Sequence, residues 1–206
     1  ALWDDGYAVD NFRLYGTKPL TSNFDWGEND GTMYTDSFAT VLYTDNALVP
    51  EIYIKPDITS GATFNYSAET TLPNGCLVTA NIPVTNNTKV STGISTSWNS
   101  TNWLPDNVAP TSSKCVVVRN DVTLGAGNVG AAKNLTIEGT GKLTIAGDLT
   151  ITDFVKNENA SADNLTVKSD GNLIQINPSK TINSGNIKAE REVKNMNNVA
   201  TNMDYV

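Results

Sequence analysis

The feature that most constrains the fold is a short repeat in the second half of the chain. Residues 134–145 read Asn-Leu-Thr-Ile-Glu-Gly-Thr-Gly-Lys-Leu-Thr-Ile, and a near copy begins at Asn164, about 30 residues later. A third Leu-Thr-Ile run lies between them at 149–151. Repetition at this period predicts short stacked strands, as in a β-solenoid or a related array.

Each repeated run places one threonine between two aliphatic residues, as in Leu135-Thr136-Ile137. Because side chains alternate across a strand, the aliphatic residues should face a core and the threonines should face outward. Two buried aliphatic residues cannot stabilise such a layer alone, so the layers must stack. Glycines at 139, 141, 147 and 171 are predicted to turn the chain with positive φ.

The composition favours an all-β protein without long helices. About a quarter of the 206 residues are Asn or Thr, which suit turns and exposed strand faces. The net charge of −8 disfavours nucleic acids and anionic membrane surfaces as partners. No run of residues is apolar over the length needed for insertion into a bilayer.

The first half predicts smaller elements with turn residues between them. Residues 1–16 alternate like one strand and resemble the last strand of a jelly-roll or lectin-like domain, whose body would lie upstream. Residues 17–90 hold strand-sized runs that predict an immunoglobulin-like sandwich. The runs are 32–34, 39–43, 51–54, 63–68, 77–80 and 82–84. Pro83 marks the last run as an edge or terminal strand.

Residues 91–206 are predicted to form the β-solenoid-like module, which is expected to be incomplete at its C-terminus. The polar stretch 86–114 contains Trp98 and Trp103. We interpret it as a cap over the open end of the array, with both tryptophans as buried lids, because uncovered edge strands promote aggregation. Strands of the array should begin at Cys115.

Residues suited to chemistry are few. The chain contains no histidine, so histidine-based catalysis and most zinc sites are excluded, and we expect no enzymatic activity. Asp25, Glu28 and Asp30 form an acidic loop that is a weak candidate for Ca²⁺, with a solvated turn as the alternative. Asp25 and Glu28 are also the candidates for a glycosidase pair, which nothing in the sequence places in a cleft.

Cys76 and Cys115 are the two cysteines. They could pair as a disulfide in a secreted protein. The alternative is two separate buried thiols, since both stand beside apolar residues. Trp26, Trp98 and Trp103 could stack on sugar rings, although in a small β module they more often belong to a core or a cap.

Several of these segments resemble modules of large surface proteins of Bacteroidetes. Tyr43-Thr-Asp-Asn-Ala-Leu48, Ile52-Tyr-Ile-Lys-Pro56 and Asn74-Gly-Cys76 resemble an immunoglobulin-like module of those proteins. Residues 97–110, the run at 134–137 and Ile187-Lys-Ala-Glu-Arg-Glu-Val193 are similar to the β-repeat module that follows it. Such proteins are exported by the type IX secretion system.

The resemblance implies a secreted or cell-surface, non-catalytic portion of a larger protein, used for spacing, display or adhesion. The implied partners are an outer-membrane secretion translocon or its cell-surface partners, with the chain as cargo, and a glycan ligand is a further candidate. The alternative function is that of an accessory module, carbohydrate-binding or spacing, of a secreted polysaccharide-degrading enzyme. No cofactor is expected apart from the candidate Ca²⁺.

Overall fold

The computed structural model describes residues 23–27, 30–177 and 182–192. Within these ranges it is all-β, with one turn of 3-10 helix at Ala162–Asn164 and no α-helix. No helix in the described part has the length and apolar character of a membrane span. The strands are β1 Met33–Tyr34, β2 Tyr53–Ile54, β3 Thr63–Thr71, β4 Leu77–Thr85, β5 Thr88–Ser91, β6 Ser95–Ser97, β7 Trp103–Leu104, β8 Cys115–Val118, β9 Asp121–Leu124, β10 Val129–Ala132, β11 Asn134–Ile137, β12 Lys142–Ile145, β13 Asp148–Ile151, β14 Val155–Asn157, β15 Leu165–Val167, β16 Asn172–Gln175 and β17 Lys188–Ala189.

The chain divides into two compact units. The first comprises residues 1–56 and 65–83, and the second comprises residues 57–64 and 84–206. The strand predicted at 1–16 lies outside the described residues.

The described part of the first unit contains two small antiparallel sheets. β1 pairs with β2, and β3 pairs with β4. The runs predicted at 77–80 and 82–84 form the single strand β4, and Pro83 is accommodated because a two-stranded sheet has only edge strands. The strand predicted at 39–43 is wrong, since only an isolated bridge joins Tyr34 to Leu42.

Asp36 explains why the chain turns there instead of continuing as a strand. Its carboxylate accepts the backbone N–H groups of Phe38, Thr40 and Val41 at 3.1, 2.9 and 2.6 Å. These bonds, led by that of Val41, hold the pKa of Asp36 below its ordinary value. A short polar side chain has replaced the strand ladder as the partner of this backbone.

The second unit is a β-solenoid-like stack with three parallel sheets. Sheet A contains β5, β8, β11 and β14, sheet B contains β6, β9, β12, β15 and β17, and sheet C contains β10, β13 and β16. Three consecutive rungs contribute a strand to every sheet, namely β8–β10, β11–β13 and β14–β16. The solenoid predicted from the repeats is therefore confirmed, at about three full turns.

The stacking period differs from the period of the sequence repeat. Leu135 pairs with Val155 and Leu143 with Leu165, so one rung takes 20 to 22 residues at these positions. The near copies at 134–137 and 164–167 therefore lie in different sheets, A and B. A period of about 30 residues is wrong because every strand of every sheet needs the same Leu-Thr-Ile pattern, so a sequence match can slip by one face.

The core lies inside the stack and consists of the alternate aliphatic residues of each strand. Leu135, Leu149 and Leu165 are fully buried in one hydrophobic cluster, as the pattern predicts. The threonines between them point outward and are half-buried, except Thr166, whose hydroxyl donates to Asp163 O in the adjoining 3-10 turn at 3.3 Å. Burial of one such aliphatic side chain contributes roughly 1.5–3 kcal/mol.

Glycines at the corners are required for a different reason from the one predicted. Of Gly139, Gly141, Gly147 and Gly171, only Gly139 has a positive φ, of 62°. A Cβ on Gly147 would lie 2.2 Å from Asn128 O, and one on Gly141 would lie 2.1 Å from Val118 O. These corners need glycine because the backbone of the neighbouring rung passes too close for any side chain.

The N-terminal end of the stack begins earlier than predicted. β5 and β6, which the sequence placed in a cap, pair in parallel with β8 and β9 and form a first, incomplete rung. β7 then adds antiparallel to β5 and ends sheet A. Trp98 and Trp103 are fully buried in an edge-to-face contact at 5.4 Å, which confirms the prediction of buried lids.

Trp98 occupies space that small residues leave in β10. Gly130 and Ala132 are buried where the next rung of sheet C carries Leu149 and Ile151. A Cβ on Gly130 would lie 2.8 Å from Trp98 Nε1 and 3.0 Å from Leu149 Cδ1. The indole and the small strand are therefore complementary in volume, as close packing requires.

Substitution of a core leucine tests the stacked core. Leu149→Ala should lower the free energy of unfolding by about 2–5 kcal/mol, because it leaves a cavity in the stack. The matched control is Thr150→Ala on the outward side of the same strand, which should change it by less than about 0.5 kcal/mol. Urea unfolding of both variants measures the difference, and equal losses would contradict the assignment of the two faces.

A double-mutant cycle tests the Trp98 lid. Gly130→Ala should destabilise by about 1–3 kcal/mol through overpacking against the indole. In the background of Trp98→Leu the same substitution should cost less, because the smaller side chain leaves room for the methyl group. Additive effects in thermal unfolding would show that the two residues do not share one space.

Candidate functional site

The predicted acidic loop is held by internal hydrogen bonds in its described part. Asp25 Oδ1 accepts Gly27 N–H at 3.1 Å and the Tyr43 hydroxyl at 3.1 Å. Burial is the main cause of the raised pKa of Tyr43, so the phenol remains a donor to this carboxylate. Asp25 thus contributes to the packing of the first unit.

Asp30 is likewise engaged locally. Its Oδ1 accepts the backbone N–H of Thr32 at 3.1 Å and the Thr32 hydroxyl at 2.6 Å. Glu28 lies outside the described residues. The described residues contain no cluster of three metal-binding side chains, and the Ca²⁺ site at Asp25, Glu28 and Asp30 stays a prediction.

Both cysteines are free thiols in the structure. Cys76 is exposed and follows the turn of the β3–β4 hairpin, where its N–H donates to Asn74 Oδ1 at 3.0 Å. The alternative of two buried thiols is therefore wrong for Cys76, because the turn lifts it out of the strand. Cys115 is half-buried at the start of β8, and the disulfide between the two stays a prediction.

The tryptophans considered for sugar stacking belong to packed cores. Trp26 is 7% exposed, and its Nε1–H donates to Val49 O at 3.1 Å. Trp103 Nε1–H donates to Trp98 O at 2.9 Å inside the solenoid end. Rings buried in this way present no face to a ligand, so the core and cap interpretation is confirmed for these three residues.

An ion pair closes the polar end of the stack. Lys89 is only 3% exposed, and its Nζ donates to Asp106 in the segment after β7. The Lys89 ammonium is the main cause that holds the pKa of Asp106 below its ordinary value, and the Val108 N–H, 3.1 Å from Oδ1, adds to it. A buried ammonium depends on such a carboxylate, because desolvation of an unpaired charge is costly.

The outer surface carries a groove of about 650 Å³ where sheets A and B meet. This volume lies within the range of small-ligand sites. We call it the corner groove. It is lined by Gly93, Ile94, Arg119, Asn120, Asp121, Thr140, Lys142 and Asn164.

Each rung contributes the corner between its sheet A and sheet B strands. Gly93 and Ile94 follow β5, Asn120 follows β8, Thr140 follows β11, and Asn164 follows β14. The groove therefore runs along the stack and crosses four rungs. Its positions repeat because the strands repeat.

Side-chain hydrogen bonds between rungs fix the floor of the corner groove. Asn120 Nδ2 donates to Thr92 O at 3.3 Å, and Asn164 Nδ2 donates to Gly141 O at 2.7 Å. The Thr140 hydroxyl donates to Arg119 O at 3.2 Å. Each bond joins one corner to the corner of the preceding rung, so the lining is held in place before any ligand arrives.

The charges around the corner groove are mixed. Arg119 Nε is paired with Glu138 at 2.7 Å. Beside it, the Lys188 ammonium lies 3.0 Å from Asp163 and is the main cause of the lowered pKa of that carboxyl, with a smaller effect from Lys142. The surface offers donors and acceptors together and no single strong field.

Sequence reasoning missed all of these groove residues. They are separated by 20 or more residues in the chain, and they converge only once the rung period is known. A signal was nevertheless present, since a polar residue stands at the same place before each sheet B strand, as at Asp121 and Lys142.

Comparison with known families gives one match. A family model described as a domain of unknown function, DUF8693, matches residues 90–206, which is more than half of the chain. The match begins within β5 and so includes the strands of the solenoid. No curated protein and no solved structure matches the chain.

The Lys89–Asp106 pair predicts a pH-dependent stability. A lowered folded pKa means that the contribution of Asp106 is present above its unfolded value, near 3.8, and is lost as the pH falls through the folded pKa. Asp106→Asn should cost about 2 kcal/mol at pH 6, a figure kept small because the Asp106 side chain is 41% exposed.

Urea unfolding of both proteins from pH 3 to pH 7 measures this effect. The difference between them should be constant from pH 5 to pH 7 and should shrink below the unfolded pKa. A difference that persists unchanged at pH 3 would show that the Asp106 charge does not stabilise the cap. Asp148→Asn, on an exposed strand position, is the matched control.

Proposed function

We propose that this chain, which belongs to the DUF8693 family, is a non-catalytic structural and adhesive part of a secreted or cell-surface protein. The observation that carries the proposal is the filled interior of the stack. Its inward side chains form one continuous buried cluster from Trp98 to Val167. With the inside occupied by packed side chains, the outer faces and corners are the surfaces left for recognition.

The resemblance to Bacteroidetes surface proteins supports a route of export. On this proposal the chain travels as cargo of the type IX secretion system and meets the outer-membrane translocon or its cell-surface partners. The net charge of −8 suits a protein that must not adhere to anionic membrane surfaces.

The first unit is proposed to be an immunoglobulin-like module. The antiparallel pairing of β1 with β2 and of β3 with β4 supports this, together with the motifs at 43–48 and 52–56. Residues 1–16 are proposed to be the final strand of a preceding jelly-roll domain.

A second candidate is an accessory module of a polysaccharide-degrading enzyme. The corner groove favours it, because its amide, hydroxyl and charged side chains are groups that bind sugar hydroxyls. The two candidates share a location outside the cell and differ in what the chain is joined to.

Surface labelling of the native protein tests the location. Intact cells of the organism that makes it should expose the chain to an impermeant biotin reagent, and disruption of the type IX translocon should abolish that labelling. A periplasmic marker protein is the control for leakage. Retention of the chain in the cytoplasmic fraction would contradict the proposal.

A second measurement tests the absence of catalysis. Purified chain incubated with soluble polysaccharides should release no reducing sugar over a day, whereas an added commercial glycosidase should do so in the same buffer. Release of sugar by the chain alone would overturn the non-catalytic assignment.

A further inference from the structure

We propose that the corner groove binds a linear glycan that lies along the axis of the stack, with about one sugar ring for each rung. This narrows the ligand class of the adhesive role and rests on that proposal only for the cellular setting. The argument uses the spacing of the rungs, the free side chains in the groove and the rigidity of its floor.

The spacing of the lining groups selects an extended ligand. Neighbouring parallel strands lie about 4.8 Å apart, so the step from the first rung to the fourth is about 14 Å. A linear chain of pyranose rings advances by close to one strand spacing per ring and can present equivalent hydroxyls to successive rungs. An extended peptide repeats at about 3.3 Å per residue and falls out of step with the rungs.

Two side chains in the groove are available for hydrogen bonds. Asp121 and Lys142 stand opposite each other in register on β9 and β12, and both are exposed. Within the described part of the chain neither side chain makes a hydrogen bond or an ion pair. An acceptor and a donor one strand spacing apart match the hydroxyls of a sugar, each of which both donates and accepts.

Ile94 supplies an apolar contact beside these polar groups. Its side chain is 95% exposed on the wall of the groove. The ring faces of sugars carry C–H groups, so a ligand that buries Ile94 while its hydroxyls meet Asp121 and Lys142 uses both kinds of surface.

The floor of the groove needs little ordering when a ligand binds. Asn120 and Asn164 are already held by their bonds to the backbone of neighbouring rungs, at 3.3 and 2.7 Å. A preformed site loses less conformational entropy on binding than a mobile one.

Affinity electrophoresis of the full chain tests this inference. The probes are hydroxyethyl cellulose, galactomannan, xylan, laminarin, polygalacturonate and alginate, and at least one should retard the protein. Lys142→Ala and Ile94→Ser should each weaken the dissociation constant for that polysaccharide by roughly tenfold. The matched controls are Lys133→Ala and Val129→Ser, whose side chains are also exposed but lie outside the groove.

The outcomes separate this inference from the proposed function. No retardation by any of the six polysaccharides, or equal losses in groove and control variants with unchanged thermal unfolding, would overturn the inference and leave the surface location standing. Binding to an unstructured polypeptide instead of the polysaccharides would also overturn it. Glycan binding by a chain that remains in the cytoplasm would instead contradict the proposed function.

Discussion

The parallel stacking of strands depends on a dry core that each rung shares with the next. In the middle rungs the inward positions carry aliphatic residues such as Val116, Leu135 and Leu143, all of them fully buried. A single rung cannot bury these side chains, so it is stable only between two others. The corner glycines, the outward threonines and the groove all follow from the close approach of rungs that this burial enforces.

The inward positions become polar toward both ends of the described stack. At the first rung Lys89 and Thr96 stand in register with the inward Val116 and Val122. In the fourth rung Asn157 pairs with Ile137, and its Nδ2 donates to Asn186 O at 2.8 Å. Terminal repeats of a solenoid are atypical because one of their faces has no neighbouring rung to bury it.

The N-terminal end shows how this change is accommodated. Lys89 is compensated by Asp106, and Trp98 fills the volume that Gly130 leaves. The indole Nε1–H of Trp98 is buried without an acceptor among the described residues, which costs about 1–3 kcal/mol. The burial of two large aromatic rings is the gain that offsets this cost.

The sequence anticipated local features better than long-range ones. The alternation in Leu135-Thr136-Ile137 and the role of Trp98 and Trp103 could be predicted, because strand periodicity and ring size act within a few residues. The run at 39–43 was misjudged because the Asp36 carboxylate outcompetes strand pairing. The start of the array at Thr88 was missed because the first rung has Lys, Ser and Thr at inward positions, which no hydrophobic pattern reveals.

By itself the sequence determined that the chain is all-β and that its second half stacks, because repeated aliphatic pairs have no other way to leave water. Only the tertiary structure decided the period of the rungs, the need for glycine at Gly141 and Gly147, and the meeting of Ile94, Asp121 and Lys142 in one groove. The physical reason is that identical strand patterns in three sheets leave the register open. Carbonyl contacts and complementary volumes between distant rungs are what select one register.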